Sequence, residues 1–366
     1  MNNKLHKLKI STPGRVCLFG EHQDYLHLPI VACAISLRIT VEGTRRNDMQ
    51  VNINLPDVSE KESFFLDKPI VYSKERDYLK SSLKVLLRKG YTFSNGFDCV
   101  IEGKIPINAG TSSSSALIVT WINFLTRVSD QSEILSDEKL AYLAYEAEVL
   151  EFSEPGGMMD QYSTSIGGII AIDFFPEIKV SRLNTELKTF VLGNSHQPKD
   201  TKYILSHVKN QILDVDKILK RIDPDFSLQS VKVEELNQYS KHLSQPQYQI
   251  LEGTIKNRDL TVIARKELAN KNPDHKMIGQ LLTEHHIVLR DILGISTPKI
   301  ERMIDSAINA GAYGAKINGS GGGGCMFAYS PEDPEKVKTA IENSGGEAFI
   351  ILPDSGSRQE FMESTK

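Results

Sequence analysis

The sequence predicts an α+β protein of two domains, with a mixed α/β first domain and an α+β second domain. The first 180 residues alternate between strand-like and helix-like segments, whereas the second half carries long helical stripes. A glycine-rich turn at 319–324 separates two short apolar segments typical of strands. Because such elements bury their apolar faces in layers, each half is expected to enclose its own core. We place the domains at 1–185 and 186–366, with the break near 175–195.

Local patterns predict four elements of the first half. Residues 30–41 are rich in β-branched and apolar side chains, which favours a strand. Residues 78–89 have the pattern of a helix that stops at Gly90. Apolar residues alternate at 97, 99 and 101, as in a half-buried strand, and the spacing within 117–125 suits a buried helix.

A further helix is expected to begin at Ser136. Ser136 is a suitable N-cap, and acidic residues occupy the first turn. Its apolar face is predicted to carry Leu140, Leu143, Ala144, Ala147 and Leu150. Glu148 continues this face at four-residue spacing, where a buried charge costs several kcal/mol unless it meets a cation. Glu148 is therefore either a residue at the edge of the surface or a metal ligand.

Two amphipathic helices are predicted in the second half. The first follows the apolar positions 204, 208, 212, 215 and 219. The second follows 300, 303, 304, 307 and 308, is entered through Thr297-Pro298 and is ended by Gly311. These stripes indicate helices packed on one face.

Composition narrows the class of protein. The 366 residues include 40% hydrophobic and 25% charged residues, ordinary values for a globular protein. The net charge of −4 and the lack of a long basic run disfavour nucleic-acid binding. The sequence shows neither a signal peptide nor a membrane-spanning run. Cys17, Cys33, Cys99 and Cys325 are scattered in apolar segments, which favours buried free thiols and a cytoplasmic protein.

Residues 106–116 form the strongest candidate site. Gly110 allows a close backbone approach, and four serines, Ser112, Ser113, Ser114 and Ser115, lead directly into an apolar helix. Free N–H groups and the positive end of the helix dipole would favour phosphates. The pattern is not the common P-loop, since no Lys-Ser/Thr pair follows the glycine. The alternative is a capped turn without chemical function.

Three further segments carry candidate residues. An apolar strand at 16–19 leads to Glu21, His22 and Asp24, which could bind several hydroxyls or form a solvated turn. Asp160 follows a Pro-Gly-Gly bend and two methionines, a setting for a base in a cleft or for an N-cap. The glycines within 319–324 could fold tightly against a ligand or another loop, or form a flexible hairpin tip.

Taken in order, these motifs resemble the GHMP kinase family, and its galactokinase branch in particular. The segments that carry the resemblance are 14–25, 110–116, 157–161, 285–291 and 316–325. The likeness extends over most of the chain, from about residue 13 to 329. It implies a GHMP kinase fold with a ferredoxin-like second domain and a site in the cleft between the domains.

The resemblance also implies roles. The serine loop would hold the phosphates of ATP, with Ser114 and Glu148 as ligands of Mg²⁺. Asp160 would accept the proton of the attacking hydroxyl or align it, and Arg15 would pair with Asp160 near the γ-phosphate. Glu21, His22 and Asp24 would bind the other sugar hydroxyls. These roles agree with phosphoryl transfer, which requires mainly positioning and charge neutralisation.

Some positions depart from the galactokinase pattern. Thr111 and Ser115 stand where galactokinases usually have leucine and alanine. After Asn194-Ser195 the run to Tyr203 differs from the usual basic, serine-containing stretch, and the sugar-contacting tyrosine has no clear counterpart. These departures bear on which sugar is bound.

Three functions are consistent with these motifs to different degrees. The first is an ATP-dependent sugar kinase acting on the anomeric hydroxyl of galactose or a related sugar, as a monomer or homodimer without nucleic-acid or membrane partners. The second is a kinase of another sugar, a sugar acid or a mevalonate-type alcohol, the last disfavoured because it would leave Glu21 and Asp24 poorly paired. The third is a kinase-like sugar sensor, in which damage to Ser114, Glu148 or Asp160 would be expected.

Overall fold

Two β-sheets organise the chain, which a computed structural model describes over residues 7–360. The first sheet has eight strands in the order β12-β1-β2-β5-β3-β4, with β6 on β2 and β7 on β6. Its strands are β1 (Leu8–Phe19), β2 (Ile30–Arg45), β3 (Gln50–Leu55), β4 (Glu60–Phe65), β5 (Phe97–Gly103), β6 (Ile169–Asp173), β7 (Lys179–Arg182) and β12 (Arg358–Gln359). All its pairings are antiparallel except that of β3 with β5.

Four helices accompany this sheet. They are α1 (Tyr78–Arg88), α2 (Ser113–Val128), α3 (Asp137–Tyr145) and α4 (Met159–Ile166). Trp121 of α2 is fully buried against Phe97 and Phe124. The predicted strands at 30–41 and 97–101 and the predicted helices at 78–89, 117–125 and 136 onward are confirmed. Ser136 caps α3 by accepting a hydrogen bond from the Lys139 N–H at 3.2 Å.

The second sheet has four antiparallel strands in the order β11-β8-β10-β9. They are β8 (Phe190–Asn194), β9 (Gly314–Ile317), β10 (Cys325–Tyr329) and β11 (Glu347–Ile351). Its helices are α5 (Thr201–Ile222), α6 (Gln245–Leu268), α7 (His275–Asp291), α8 (Pro298–Asn309) and α9 (Pro334–Asn343). The two helical stripes predicted in this half correspond to α5 and α8.

The two halves share buried surface. One apolar cluster contains Val16 and Leu18 of β1 together with Phe327 and Tyr329 of β10. The chain passes from the first sheet to the second between β7 and β8, and its last described residues return to the first sheet as β12. The division at residues 1–185 and 186–366 stays a prediction.

One predicted apolar position is wrong. Leu150 is 51% exposed rather than aligned with the buried face of α3. Residues 146–150 form a π-helical turn, in which the Glu151 N–H bonds the Glu146 carbonyl at 3.0 Å. The wider turn shifts the helical register, so Leu150 rotates away from the core.

Two other sequence-based expectations concern the whole chain. The four cysteines are buried and free, as predicted. No helix within residues 7–360 has the length and apolar character needed to cross a bilayer.

Candidate active site

All the predicted site residues line one cavity of about 310 Å³. The end of β1, the starts of α2 and α4, the glycine turn and the segment entering α5 contribute to its walls. The predicted residues on this lining are Arg15, Glu21, His22, Asp24, Gly110, Ser112, Ser113, Ser114, Ser115, Glu148 and Asp160. Residues far apart in sequence are therefore brought to a shared surface.

The start of α2 opens onto this cavity without a side-chain cap. Ser112 at the N-cap has φ +59° and ψ 39°, and its side chain caps no N–H of the helix. Its hydroxyl has no hydrogen-bond partner among the described residues. The first N–H groups of a 16-residue helix thus remain available, together with the positive end of the dipole. This arrangement can bind an anion.

The glycine turn at 319–324 supports the serine loop at 106–116, called the phosphate loop from here on, through hydrogen bonds to its backbone. The Asn318 side-chain amide donates to the Gly110 carbonyl at 2.8 Å, and the Cys325 N–H donates to the Ala109 carbonyl at 2.8 Å. Gly324 has φ +72°, and a Cβ there would lie 2.6 Å from the Ala109 oxygen. The prediction that these glycines pack against another loop is confirmed.

Arg15 and Asp160 form the predicted pair. The Arg15 Nε and Nη2 lie 2.8 and 2.7 Å from Asp160 Oδ1. The same guanidinium donates to the Gly110 carbonyl. The Arg15 side chain is only 4% exposed, whereas Asp160 is 32% exposed and faces the cavity. The pair therefore presents an oriented carboxylate beside the phosphate loop.

Asp24 lies close to the Asp160 carboxylate. Its Oδ1 accepts from the Tyr25 N–H at 2.9 Å, and its Oδ2 accepts from the Met159 N–H at 3.3 Å. Burial and the nearby Asp160 charge raise the pKa of Asp24 to about 6. Gly157 makes room for it, since a Cβ there would lie 2.1 Å from Asp24 Oδ2. Two backbone hydrogen bonds leave acceptor capacity for ligand hydroxyls.

Glu21 and His22 already have partners within the protein. Glu21 forms a buried ion pair with Lys316, and its Oε2 lies 3.7 Å from His285 Nδ1. His22 Nδ1 lies 2.8 Å from the Tyr25 hydroxyl, and Nε2 lies 3.1 Å from the Ser320 carbonyl. Burial lowers the pKa of His22 to about 4, so the ring is neutral near pH 7. Their role as sugar ligands stays a prediction.

Glu148 enters the cavity from the π-helical turn. Burial raises the pKa of this carboxyl group, while hydrogen bonds with Ser114, Ser115 and Gln161 oppose that rise. Gln161 Nε2 donates to Glu148 Oε2 at 2.6 Å. The hydrogen-bond partners of Glu148 are neutral, and its charged neighbour, Asp160, is also acidic. A buried carboxylate beside serine hydroxyls offers the hard oxygen ligands that Mg²⁺ prefers, so these residues fit a magnesium ion.

The sequence analysis missed Lys199 and Lys202. Lys199 Nζ lies 3.1 Å from the Ser320 hydroxyl, and burial and the Arg15 charge lower the pKa of Lys199 to about 8. Lys202, in the first turn of α5, lies 4.0 Å from Glu154 Oε1. Both line the cavity. The sequence signal that could have identified these two lysines is the departure of residues 196–203 from the galactokinase pattern.

A second cavity, of about 320 Å³, adjoins the first. Apolar side chains of β2, β3, β5 and α2 contribute to it, including Ile39, Leu55, Ile101 and Leu117. The two cavities share five lining residues: Arg76, Tyr78, Asn108, Ser113 and Ser114. The start of α2 therefore lies between an apolar cavity and a polar one.

Three family models match the chain. "GHMP kinases N terminal domain" matches residues 77–168, "GHMP kinases C terminal" matches 264–348, and "Galactokinase galactose-binding signature" matches 4–45. Together they cover more than half of the sequence. The chain is an ATP-dependent phosphotransferase with an alcohol group as acceptor. It belongs to the GHMP kinase family and is galactokinase-like within it.

Individual relatives include two kinds of kinase. A mevalonate kinase of Pyrococcus furiosus is 28% identical over 94% of this chain and 95% of its own length. A galactokinase of Actinobacillus succinogenes is 26% identical over 89% of this chain and 86% of its own. The relatives thus support a sugar or alcohol kinase without distinguishing between the two acceptors.

Solved structures confirm the fold. A Lactococcus lactis galactokinase complexed with galactose covers 96% of this chain and 95% of its own, with a TM-score of 0.82 and 21% identity. A Methanococcus jannaschii mevalonate kinase covers 97% of this chain and 100% of its own, with a TM-score of 0.73 and 22% identity. The predicted fold class, a GHMP kinase fold with mixed α and β domains, is confirmed.

Proposed function

We propose that this protein phosphorylates a sugar, most simply at the anomeric 1-hydroxyl of galactose or a related sugar. The observation that carries the proposal is the convergence of Asp24, Asp160 and Arg15 beside the uncapped start of α2. The Asp24 carboxylate is available for hydroxyls of the ligand, and the Asp160 carboxylate is oriented for the reacting hydroxyl. An acceptor with several hydroxyls suits this pair.

The transfer step assigns a role to each group. The acceptor oxygen forms a bond to the γ-phosphorus of ATP, the bond from that phosphorus to the β–γ bridging oxygen breaks, and ADP leaves. Asp160 accepts the hydroxyl proton or aligns the hydroxyl, and Arg15 holds the Asp160 carboxylate in place and faces the developing charge. The N–H groups at the start of α2 and Ser112 to Ser115 bind the phosphates, and the apolar cavity accommodates the nucleoside.

Ser114 and Glu148 would hold magnesium. When bound, the ion neutralises phosphate charge. Replacing Glu148 with Gln should raise the magnesium concentration needed for half-maximal rate by about tenfold or more, because a neutral amide binds Mg²⁺ more weakly than a carboxylate. Glu138→Gln, at an exposed position of α3, is the matched control and should leave that concentration unchanged. The same magnesium dependence in both variants would remove Glu148 from the metal site.

A mevalonate-type alcohol is the competing acceptor. Relatives named mevalonate kinase match most of the chain, which favours this alternative. Asp24 argues against it, because an acceptor without neighbouring ring hydroxyls would leave a partly buried carboxylate without ligand donors.

A panel of acceptors tests the proposal. Galactose, galacturonate, glucuronate, arabinose and mevalonate are each supplied with ATP and Mg²⁺, and ADP release is measured. We expect turnover of at least one sugar, with a product that no longer reduces copper because its anomeric oxygen carries the phosphate. Turnover of mevalonate with none of the sugars would overturn the proposal.

A further inference from the structure

The cations that line the polar cavity are not all paired with a carboxylate. Arg15 is matched by Asp160, and Arg76 binds both oxygens of Glu154 at 2.8 Å. Lys199 and Lys202 also line this cavity. Lys199 has a serine hydroxyl as its hydrogen-bond partner, and Lys202 is 4.0 Å from a carboxylate that Arg76 already occupies. Within residues 7–360, these two ammonium groups therefore line the cavity without a carboxylate that binds them alone.

Lys202 borders the part of the cavity that contains Asp24. The loop at 154–157 connects them, since Glu154 faces Lys202 while Gly157 lies directly against the Asp24 carboxylate. The same helix, α5, reaches this loop again about two turns further along, where Lys209 donates to the Pro155 carbonyl at 3.2 Å and lies 5.3 Å from the centre of the Tyr25 ring. The start of α5 thus forms one wall of the acceptor region.

Lys199, which precedes α5, lies beside the phosphate loop. A Cβ on Gly110 would be 2.8 Å from Lys199 Nζ, so the ammonium group is close to the bend that leads into the serines. Burial and the Arg15 charge lower the pKa of Lys199 to about 8, so the surroundings of this ammonium group disfavour its charged form. An anion placed beside Lys199 would favour the charged form of that group.

We propose that the acceptor is a sugar acid, a hexuronate whose carboxylate is bound by Lys202 with Lys199 alongside. The inference rests on the proposed function, because it takes the sugar-kinase reaction as given and specifies the substrate class. Asp24 selects a ring with hydroxyls, and the lysine pair selects a carboxylate on that ring. A neutral hexose satisfies Asp24 alone, whereas mevalonate offers the carboxylate without the ring hydroxyls.

The experiment compares kcat/KM for galacturonate, glucuronate, galactose and mevalonate in the wild type and in two variants. We expect the better uronate to exceed galactose by about tenfold or more, the usual scale of one charge-assisted contact. Lys202→Gln should lower kcat/KM for the uronate at least about tenfold more than it lowers that for galactose. Raising the NaCl concentration should raise KM for the uronate more than KM for galactose.

Lys217→Gln is the matched control on the same helix. Lys217 is exposed, lies outside the cavity lining and is 3.5 Å from Asp214. Lys217→Gln should leave kcat/KM for the uronate and for galactose unchanged. Thermal denaturation should show that Lys202→Gln and Lys217→Gln are both folded.

The outcomes separate the two proposals. Galactose phosphorylated as well as or better than both uronates, or a uronate-to-galactose ratio that Lys202→Gln does not change, would overturn the sugar-acid inference and leave the sugar-kinase proposal standing. Turnover of mevalonate without any sugar, or of no sugar at all, would overturn both.

Discussion

At the scale of single residues, two neighbouring carboxylates differ in their surroundings. Asp160 is held by the Arg15 guanidinium, whereas Asp24 accepts only from backbone N–H groups and has a raised pKa. Burial and the neighbouring Asp160 charge disfavour the charged form of Asp24. This difference suits Asp160 to the reacting hydroxyl and Asp24 to the other hydroxyls of the acceptor.

Asp160→Asn should reduce kcat by about 10²–10⁴-fold, because the amide cannot accept the hydroxyl proton. The dissociation constant for ATP, measured by calorimetry, should change little. Asp173→Asn is the matched control, since Asp173 forms a similar arginine pair with Arg265 at 2.6 Å outside the cavity lining. Undiminished kcat in Asp160→Asn would exclude Asp160 from the reaction.

Asp24→Asn should change how stability depends on pH. The pKa of Asp24 is raised from 3.8 to about 6, so the native state binds more protons than the unfolded chain between these values. The free energy of unfolding contributed by this group therefore falls as pH rises from about 4 to 6. The variant should melt a few degrees above the wild type at pH 8 and at the same temperature near pH 3.

Thermal denaturation across this pH range measures the effect. An equal shift in Tm at both ends would mean that the substitution acts by packing rather than by removing a charge. At pH 8 the variant should also show a higher KM for the sugar with KM for ATP nearly unchanged.

At the scale of secondary-structure elements, two irregular backbone segments position residues of the candidate active site. The π-helical turn at 146–150 carries Glu148 toward the start of α2. The turn between β9 and β10 supports the loop that precedes α2, through the Gly110 carbonyl. Both features depend on backbone conformations that deviate from regular helix or strand. Such deviations concentrate at functional sites, where the surrounding structure stabilises them.

Gly324→Ala should destabilise the protein by roughly 2 kcal/mol or more and raise KM for ATP. The reason is the sum of a positive φ and a close approach to the Ala109 oxygen, which would displace the phosphate loop. Gly311→Ala separates these effects, because Gly311 has φ +108° with no atom within 4 Å of an added Cβ. That variant should lose only about 1 kcal/mol and keep its KM for ATP.

Urea denaturation and steady-state kinetics provide the two measurements. Equal losses of stability and equal KM values for ATP in the two variants would show that contact between the loops has no part in nucleotide binding.

At the scale of the whole molecule, a buried ion pair joins the two halves. Lys316, on β9, is fully buried and donates to Glu21 and to the carbonyl of Cys17. His285 on α7 is also buried beside Glu21, and burial and the Lys316 charge keep its pKa well below the usual value. The segment that carries His22 and Asp24 is therefore tied to the second sheet.

Lys316→Met should lower the free energy of unfolding by about 3–5 kcal/mol, because it leaves the Glu21 carboxylate buried without a cation. The double variant Glu21→Gln/Lys316→Met should lose less than the sum of the single variants, since neither charge remains. Lys338→Met breaks a surface pair with Glu342 on α9 and should cost about 0.5 kcal/mol or less. Additive losses in the double variant would show that Glu21 and Lys316 do not stabilise each other.

Much of the fold followed from the order of residues alone. The strands at 30–41 and 97–101, the N-cap of α3, the entry into α8 at Thr297-Pro298 and the stripes of α5 and α8 are present as expected. The order of the motifs also indicated the kinase family and the pairing of Arg15 with Asp160. These features depend on local backbone preferences, apolar periodicity and short motifs, which neighbouring residues specify.

Only the tertiary structure revealed which distant groups meet. Glu21 is paired with Lys316, 295 positions away, and Lys199 and Lys202 line the polar cavity where the start of α5 lies beside the 154–157 loop. The apolar cavity combines side chains of three strands and a helix, and the π-helical turn moved Leu150 out of the core. Such contacts arise from the packing of complete elements, because charge partners and cavity walls need proximity in space, which spacing along the chain does not encode.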